Sequence, residues 1–187
     1  IFAKGACWVP ATSFVGDLET EAGAYARLID QTVRANMNMI RVWGGGIYET
    51  DLFYDLCDRA GILVWQDFMF ACAHYPETPE MVAEITAEAI DVVSRIAQHP
   101  SVVMWNGSNE TELGWHGWGW QERLDGAAWG EKYYRDVLPD ALHAHDVDAL
   151  YIPSSPTSLT PGVAPNVPQD GTAHLWNPWN RQDYAHY

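Results

Sequence analysis

Short apolar runs of strand length alternate with longer segments of helical period along the whole chain, and this alternation limits the fold more than any other feature. The runs are "GACWVP" (5–10), "NMIRVWGGG" (38–46), "ILVWQDF" (62–68), the one opening "VVMWN" at 102, and "ALYIPSS" (149–155). A sixth candidate is "AHLWNPW" (173–179). Between them, Tyr25, Leu28, Ile29, Thr32, Val33 and Asn36 follow helical spacing from Glu19 onward. Phe53, Leu56, Cys57 and Ala60 do the same up to Gly61, where a helix is expected to end. Val82, Ile85, Ala89, Val92, Val93 and Ile96 form the clearest apolar stripe, closed by His99-Pro100. The last stripe runs through Tyr134, Val137, Leu138, Ala141, Leu142 and His145, and 113–126 and 156–172 read as loops.

Strands that alternate with helices imply right-handed crossovers and a parallel sheet, either doubly wound and open or part of a (β/α)8 barrel. The polar and aromatic residues fall at the carboxyl ends of four strands: Trp8, then Arg41 and Trp43, then Trp65 and Asp67, then Asn109 and Glu110. An open sheet gathers its site at one switch point, whereas a barrel collects side chains from many strand ends. The expected fold is therefore α/β, a partial (β/α)8 TIM barrel of about five to six of the eight strands, because a full barrel takes about 250 residues and the chain has 187. Residues 1–187 are expected to form a single domain. The chain opens on Ile1 rather than Met, which suggests a piece of a longer protein.

Charge and composition then exclude several functions. Ten Lys and Arg against 25 Asp and Glu give a formal charge of −15, so nucleic acid, an anionic membrane and phosphate-rich ligands are not expected partners. No apolar run approaches the roughly 20 residues that span a bilayer. Cys7, Cys57 and Cys72 are too far apart for a disulfide framework or a zinc pattern and read as buried thiols of a reducing, cytoplasmic compartment. Ten Trp, set near strand ends and in Gly-rich loops, suit the flat apolar faces of sugars as well as they suit a core.

Glu110 is the leading catalytic candidate. A carboxyl just past a buried strand, with Trp105, Trp115, Trp118 and Trp120 near it in sequence, is expected to be desolvated, with a raised pKa suited to a general acid. The alternative is that it caps the next helix or lies in a solvated loop. Asp67, on the same rim, either binds sugar hydroxyls or pairs with Arg41 below the site, and Arg41 either touches ligand or serves as an ion partner at the rim. Gly44 to Gly46 lack the spacing and Lys of a phosphate loop and fit a close backbone approach instead. The seven His show no ligand spacing, so no metal and no cofactor is expected. No nucleophile elbow appears, and Ser108 has no evident His partner, which argues against serine hydrolysis.

The stretch 37–76, with "RVWGGGIYE" and "WQDFMFAC", followed by "HPSVVMWNGSNETE" (99–112), resembles the catalytic barrel of glycoside hydrolase family 2, and within it the β-mannosidases. "DGTAHLWNPW" (170–179) is similar to a further segment of the same enzymes, so the resemblance covers nearly the whole chain. It implies that Glu110 is the acid/base of a retaining mechanism that removes terminal β-D-mannose from the non-reducing end. Asn109 would bond the sugar 2-hydroxyl, Trp43, Asp67, His174 and Trp176 would line the mannosyl subsite, and Arg41 would support the rim. The related β-galactosidases and β-glucuronidases share the Asn-Glu pair. Gly-Ser-Asn-Glu departs mildly from the family's more frequent Asn-Asn-Glu or Gly-Asn-Glu.

The larger departure is an absence. A retaining enzyme needs a second carboxylate about 5 to 5.5 Å from the first. The family places it as a Glu on a later strand, and this sequence has no Glu after Glu131. The nucleophile, the last barrel strands and the preceding β-sandwich domains are therefore expected outside 1–187, and the chain alone is expected to be inactive. A homo-oligomer is one way to cover the open barrel edge. Two alternatives stay open: a non-catalytic carbohydrate-binding barrel, and a sister β-galactosidase or β-glucuronidase.

Overall fold

The structure, a computed structural model, describes residues 1–12, 18–145 and 147–180. Its strands are β1 (Gly5–Trp8), β2 (Met39–Val42), β3 (Leu63–Asp67), β4 (Val102–Asn106) and β5 (Leu150–Ile152). They form one sheet, parallel throughout, in the order β1-β2-β3-β4-β5, and the sheet is not closed. Each strand lies beside its predecessor in the chain, without the reversal of order that marks a doubly wound sheet.

The sixth strand expected at 173–179 does not form. Thr157 and Thr172 make a single antiparallel bridge, the His174 N–H goes to the Asn166 side chain, and the end of the segment is a short helix, α7 (Asn177–Asn180). With its amide taken by a side chain, the segment adds no further strand to the sheet. The region expected to be a loop at 113–126 is likewise partly helical, as α4 (Thr111–Gly117) and α5 (Trp120–Leu124). Gly114 permits their contact, since a Cβ there would lie 2.6 Å from the Trp120 ring.

The longer helices are α1 (Leu18–Arg34), α2 (Asp51–Ala60), α3 (Pro79–Ile96) and α6 (Leu138–Ala144), the last entered through a π-helical turn, Tyr133–Val137. In α1 the stripe narrows to Tyr25 and Ile29 in the core, and Val33 is exposed. Helix α2 stops where Gly61 takes a left-handed conformation (φ 68°) and returns its N–H to Asp58 O. Helix α3 starts at Thr78, whose hydroxyl accepts the Met81 N–H, with Pro79 in the first turn.

The strand register sorts the residues of the sheet into two faces. Trp8, Val42, Gln66 and Trp105 lie in one row and are buried against the helices. Phe53 of α2 packs on Trp8 with ring centroids 4.7 Å apart, and Tyr54 donates to Gln66 Oε1 at 2.7 Å. Trp8, read above as a rim residue, is therefore a core residue, its indole N–H on the buried Glu49 carboxylate at 2.7 Å. The other row is Cys7, Arg41, Trp65, Met104 and Leu150. Cys7 is exposed and Leu150 is 61% exposed, so this face is only partly covered, unlike the doubly buried sheets usual for parallel strands.

Candidate active site

The segments that follow β3, β4 and β5 are stitched together above the sheet. Asn109 N–H donates to Phe70 O, Cys72 N–H to Asn109 O, Glu110 N–H to Ser155 O and Ser155 N–H to Ser108 O, all at 2.8 to 2.9 Å. Gly107 allows the crossing, because a Cβ there would lie 2.5 Å from Pro153 O. Glu110 is held at φ 60° and Cys72 at φ 52°, left-handed conformations that cost a side-chain-bearing residue strain. Both sit on the rim, facing each other.

Arg41 and Asp67 form the floor. The Asp67 carboxylate, fully buried, accepts from Arg41 Nη2 at 2.8 Å, Arg41 Nε at 3.2 Å, Gly44 N–H at 3.0 Å and Asn106 Nδ2 at 2.7 Å. Arg41 lies over the Trp65 ring at 4.9 Å, gives a further bond to Asn109 Oδ1 at 3.0 Å, and reaches His174 Nε2 at 3.4 Å. The glycines of the 44–46 run allow close approach. A Cβ on Gly44 would lie 2.6 Å from Phe68 O, and one on Gly45 would strike the Trp43 ring at 2.1 Å.

A cleft of about 510 Å³ opens above this floor, lined by Cys7, Val9, Arg41, Trp43, Cys72, Asn109, Glu110, His174, Leu175 and Trp176. Of the residues named from the sequence, Arg41, Trp43, Asn109, Glu110, His174 and Trp176 meet here. Asp67 does not line the cleft; it lies beneath, paired with Arg41. Cys72, Ser155 and Leu175 were not singled out, although Cys72 closes the "WQDFMFAC" run that the resemblance rests on. Two of the three cysteines, Cys7 and Cys72, are exposed rather than buried, and all three are free.

Glu110 is the one carboxyl lining the cleft among the described residues, with its side chain 12% exposed. Its Oε1 accepts from His174 Nδ1 at 2.8 Å and Trp176 Nε1 at 3.1 Å, and Oε2 faces the Cys72 thiol at 3.5 Å. His174 Nε2 meets the donor-only guanidinium of Arg41 and the Ser155 hydroxyl at 2.9 Å, which leaves Nδ1–H to donate to Glu110.

The His174 hydrogen bond, helped by Trp176 and opposed by burial, holds the Glu110 carboxyl below its ordinary value. This reverses the rise expected from sequence. The rings named as its apolar shield are engaged elsewhere: Trp105 packs on Phe68, Trp115 stacks on Trp129, and Trp118 meets Trp120. The indole on Glu110 comes from Trp176, 66 residues away, and it donates a hydrogen bond instead of only excluding water.

Among the described residues, which omit His186, one group could hold a metal ion: Asp55, Asp58 and His99, with ligand atoms within 4.8 Å of one another. It lies at the opposite end of β4 from Glu110. Both Asp58 oxygens are already used, one by His99 Nδ1 at 2.7 Å and one by Ser101 N–H at 2.9 Å, so the group caps the turn that enters β4. No described helix is long and apolar enough to cross a membrane.

No family model matches the chain. It is 36% identical over 190 residues to β-mannosidase B of Neosartorya fischeri, which covers 96% of this chain and 22% of that protein. It is 47% identical over 168 residues to β-mannosidase of Capra hircus, covering 87% of this chain and 17% of that one. The crystal structure of β-D-mannosidase from Dictyoglomus thermophilum superposes with a TM-score of 0.89 at 44% identity, over 97% of this chain and 22% of that chain. An exo-chitosanase from Amycolatopsis orientalis, at 18% identity and a TM-score of 0.60 over 91% of this chain and 18% of that one, shares the fold alone. Along nearly its whole length the chain is thus homologous to one stretch of the β-mannosidases of glycoside hydrolase family 2, a stretch that makes up 22% or less of the length of the relatives named here.

Proposed function

We propose that residues 1–187 are a single domain that forms part of a (β/α)8 barrel in a retaining β-mannosidase, and that Glu110 is its acid/base catalyst. The observation behind this reading is the convergence of Arg41, Asn109, Glu110, His174 and two indoles on one cleft at the carboxyl ends of parallel strands, where barrels keep their chemistry. The sequential strand order with helices on one face supports the barrel over a doubly wound sheet. The partly uncovered second face and the open sheet edges are the surfaces that further strands would close over.

In this mechanism Glu110 protonates the glycosidic oxygen while a second carboxylate, supplied from outside 1–187, attacks the anomeric carbon from the opposite face. Glu110 then takes a proton from the water that releases mannose. Asn109, fixed by Arg41 and Cys72, bonds the sugar beside the reacting carbon, and Trp43 and Trp176 offer it flat faces. Asp67 acts from beneath the cleft, by holding Arg41, the Gly44 backbone and Asn106. The reaction requires no cofactor.

One observation favours the rival reading of a sugar-binding barrel without hydrolysis: the Glu110 carboxyl is held down, as suits a hydrogen-bond acceptor. A nucleophile carboxylate about 5 to 5.5 Å away opposes this, because a like charge raises the pKa of its neighbour. Aryl β-mannoside, β-galactoside and β-glucuronide, offered to the full-length protein, separate the readings. The proposal expects the β-mannoside to be cleaved fastest, with retention of configuration. Cleavage of another sugar first moves the substrate to a sister enzyme, and sugar binding without cleavage of any glycoside overturns the catalytic reading.

A further inference from the structure

We infer that Cys72 is a positioning residue for Glu110, setting its thiol against Oε2 so that this oxygen is the one that carries and delivers the proton. The inference rests on Glu110 as the acid/base and goes beyond it by distinguishing the two oxygens. Oε1 accepts from both His174 Nδ1 and Trp176 Nε1, so a proton on Oε1 would point at two N–H groups. Oε2 has the Cys72 sulfur at 3.5 Å and no stronger donor among the described residues.

Sulfur suits this place because it is a weak donor and a weak acceptor. The thiol can turn its hydrogen toward Oε2 when Glu110 is ionised and away from it when Oε2 is protonated, while Asn109 Nδ2 holds the sulfur in place at 3.3 Å. A hydroxyl or amide would stabilise the charged form more strongly and make the proton harder to regain. The backbone is arranged for this contact. Cys72 and Glu110 are both left-handed at the ends of adjacent strands, joined by Cys72 N–H to Asn109 O.

The groups facing Glu110 are Cys72 from the loop after β3 and His174 and Trp176 from the segment before α7. Arg41 of β2 stands behind Asn109 and His174, and the proposed nucleophile completes the set.

The test is the pH dependence of kcat/KM in the full-length protein, measured on an aryl β-mannoside with a poor leaving group for wild type, Cys72→Ser and Cys72→Ala. Ser puts a stronger donor on Oε2 and stabilises the carboxylate, moving the alkaline limb to lower pH. Ala removes the donor and moves it to higher pH. Shifts of about 0.5 to 1 pH unit in opposite directions are expected, the net size of one ordinary hydrogen bond. Both should vanish on a substrate whose leaving group needs no proton. Should Ala fail to fold, the sign of the nearly isosteric Ser variant decides. Limbs that stay fixed, or a Ser variant displaced to higher pH, overturn the inference while leaving Glu110 as the catalyst. Wild type that cleaves no glycoside, or Glu110→Ala that matches wild type on the poor leaving group, overturns the functional reading and the inference with it.

Discussion

At the scale of single residues, the candidate site rests on a carboxylate that lies beneath the cleft and does not line it. Asp67 is fully buried, and every bond it makes is accepted from an N–H: Arg41, Gly44 and Asn106. Asp67→Asn would leave the Arg41 guanidinium without its counter-charge and turn an amide hydrogen toward groups that also donate. The expected loss is about 3 to 5 kcal/mol of folding stability, read as a lowered denaturant midpoint, because one partner of a buried ion pair stays charged when the other is removed. An unchanged midpoint would mean that the pair is not formed in the folded chain. Sequence reasoning allowed this pairing for Asp67 because a carboxylate and an Arg at neighbouring strand ends are one strand apart. It missed the direction of the Glu110 shift, since that is set by His174 and Trp176, 64 and 66 residues further on. Proximity in sequence had pointed to the wrong tryptophans.

At the scale of elements, periodicity identified the long helices and β1 to β5 because each buries one stripe or one face, and burial leaves its period in the sequence. It failed where local bonds replaced a period. The 173–179 run looks like a strand, but Asn166 takes the His174 amide, and 113–126 looks like a Gly-rich loop until Gly114 is seen under Trp120. Helix α3 owes its start to the Thr78 hydroxyl, so Thr78→Ala should cost about 1 kcal/mol, measurable by thermal or denaturant unfolding.

The link between α2 and the turn entering β4 is sensitive to acid. Burial pushes the Asp58 carboxyl up, but hydrogen bonds from Ser101 and His99 outweigh it and leave it below its ordinary value. The unfolded chain then binds the proton more readily. The contribution is fully present above the unfolded pKa of about 3.9 and is lost as the pH falls through the folded value. The stability difference between wild type and Asp58→Asn should accordingly shrink as the pH falls below about 4. A difference independent of pH would show that Asp58 is not stabilised by its charge.

At the scale of the whole molecule, the strand-end pattern was legible because a parallel sheet directs all its carboxyl ends to one side, so polar residues following apolar runs fall on one rim. The grouping of His174 and Trp176 with Glu110 came from family resemblance, since the connection from β5 follows no period. What the sheet leaves open, its edges and the face bearing Cys7 and Leu150, is where the rest of the proposed barrel and its second carboxylate belong. The most direct test is hydrolysis of an aryl β-mannoside with a poor leaving group by the full-length protein, wild type against Glu110→Ala, with and without azide. The account predicts a loss of about 10² to 10⁴-fold in the variant, and, with an activated leaving group, azide rescue that yields β-mannosyl azide. A variant as fast as wild type would contradict it.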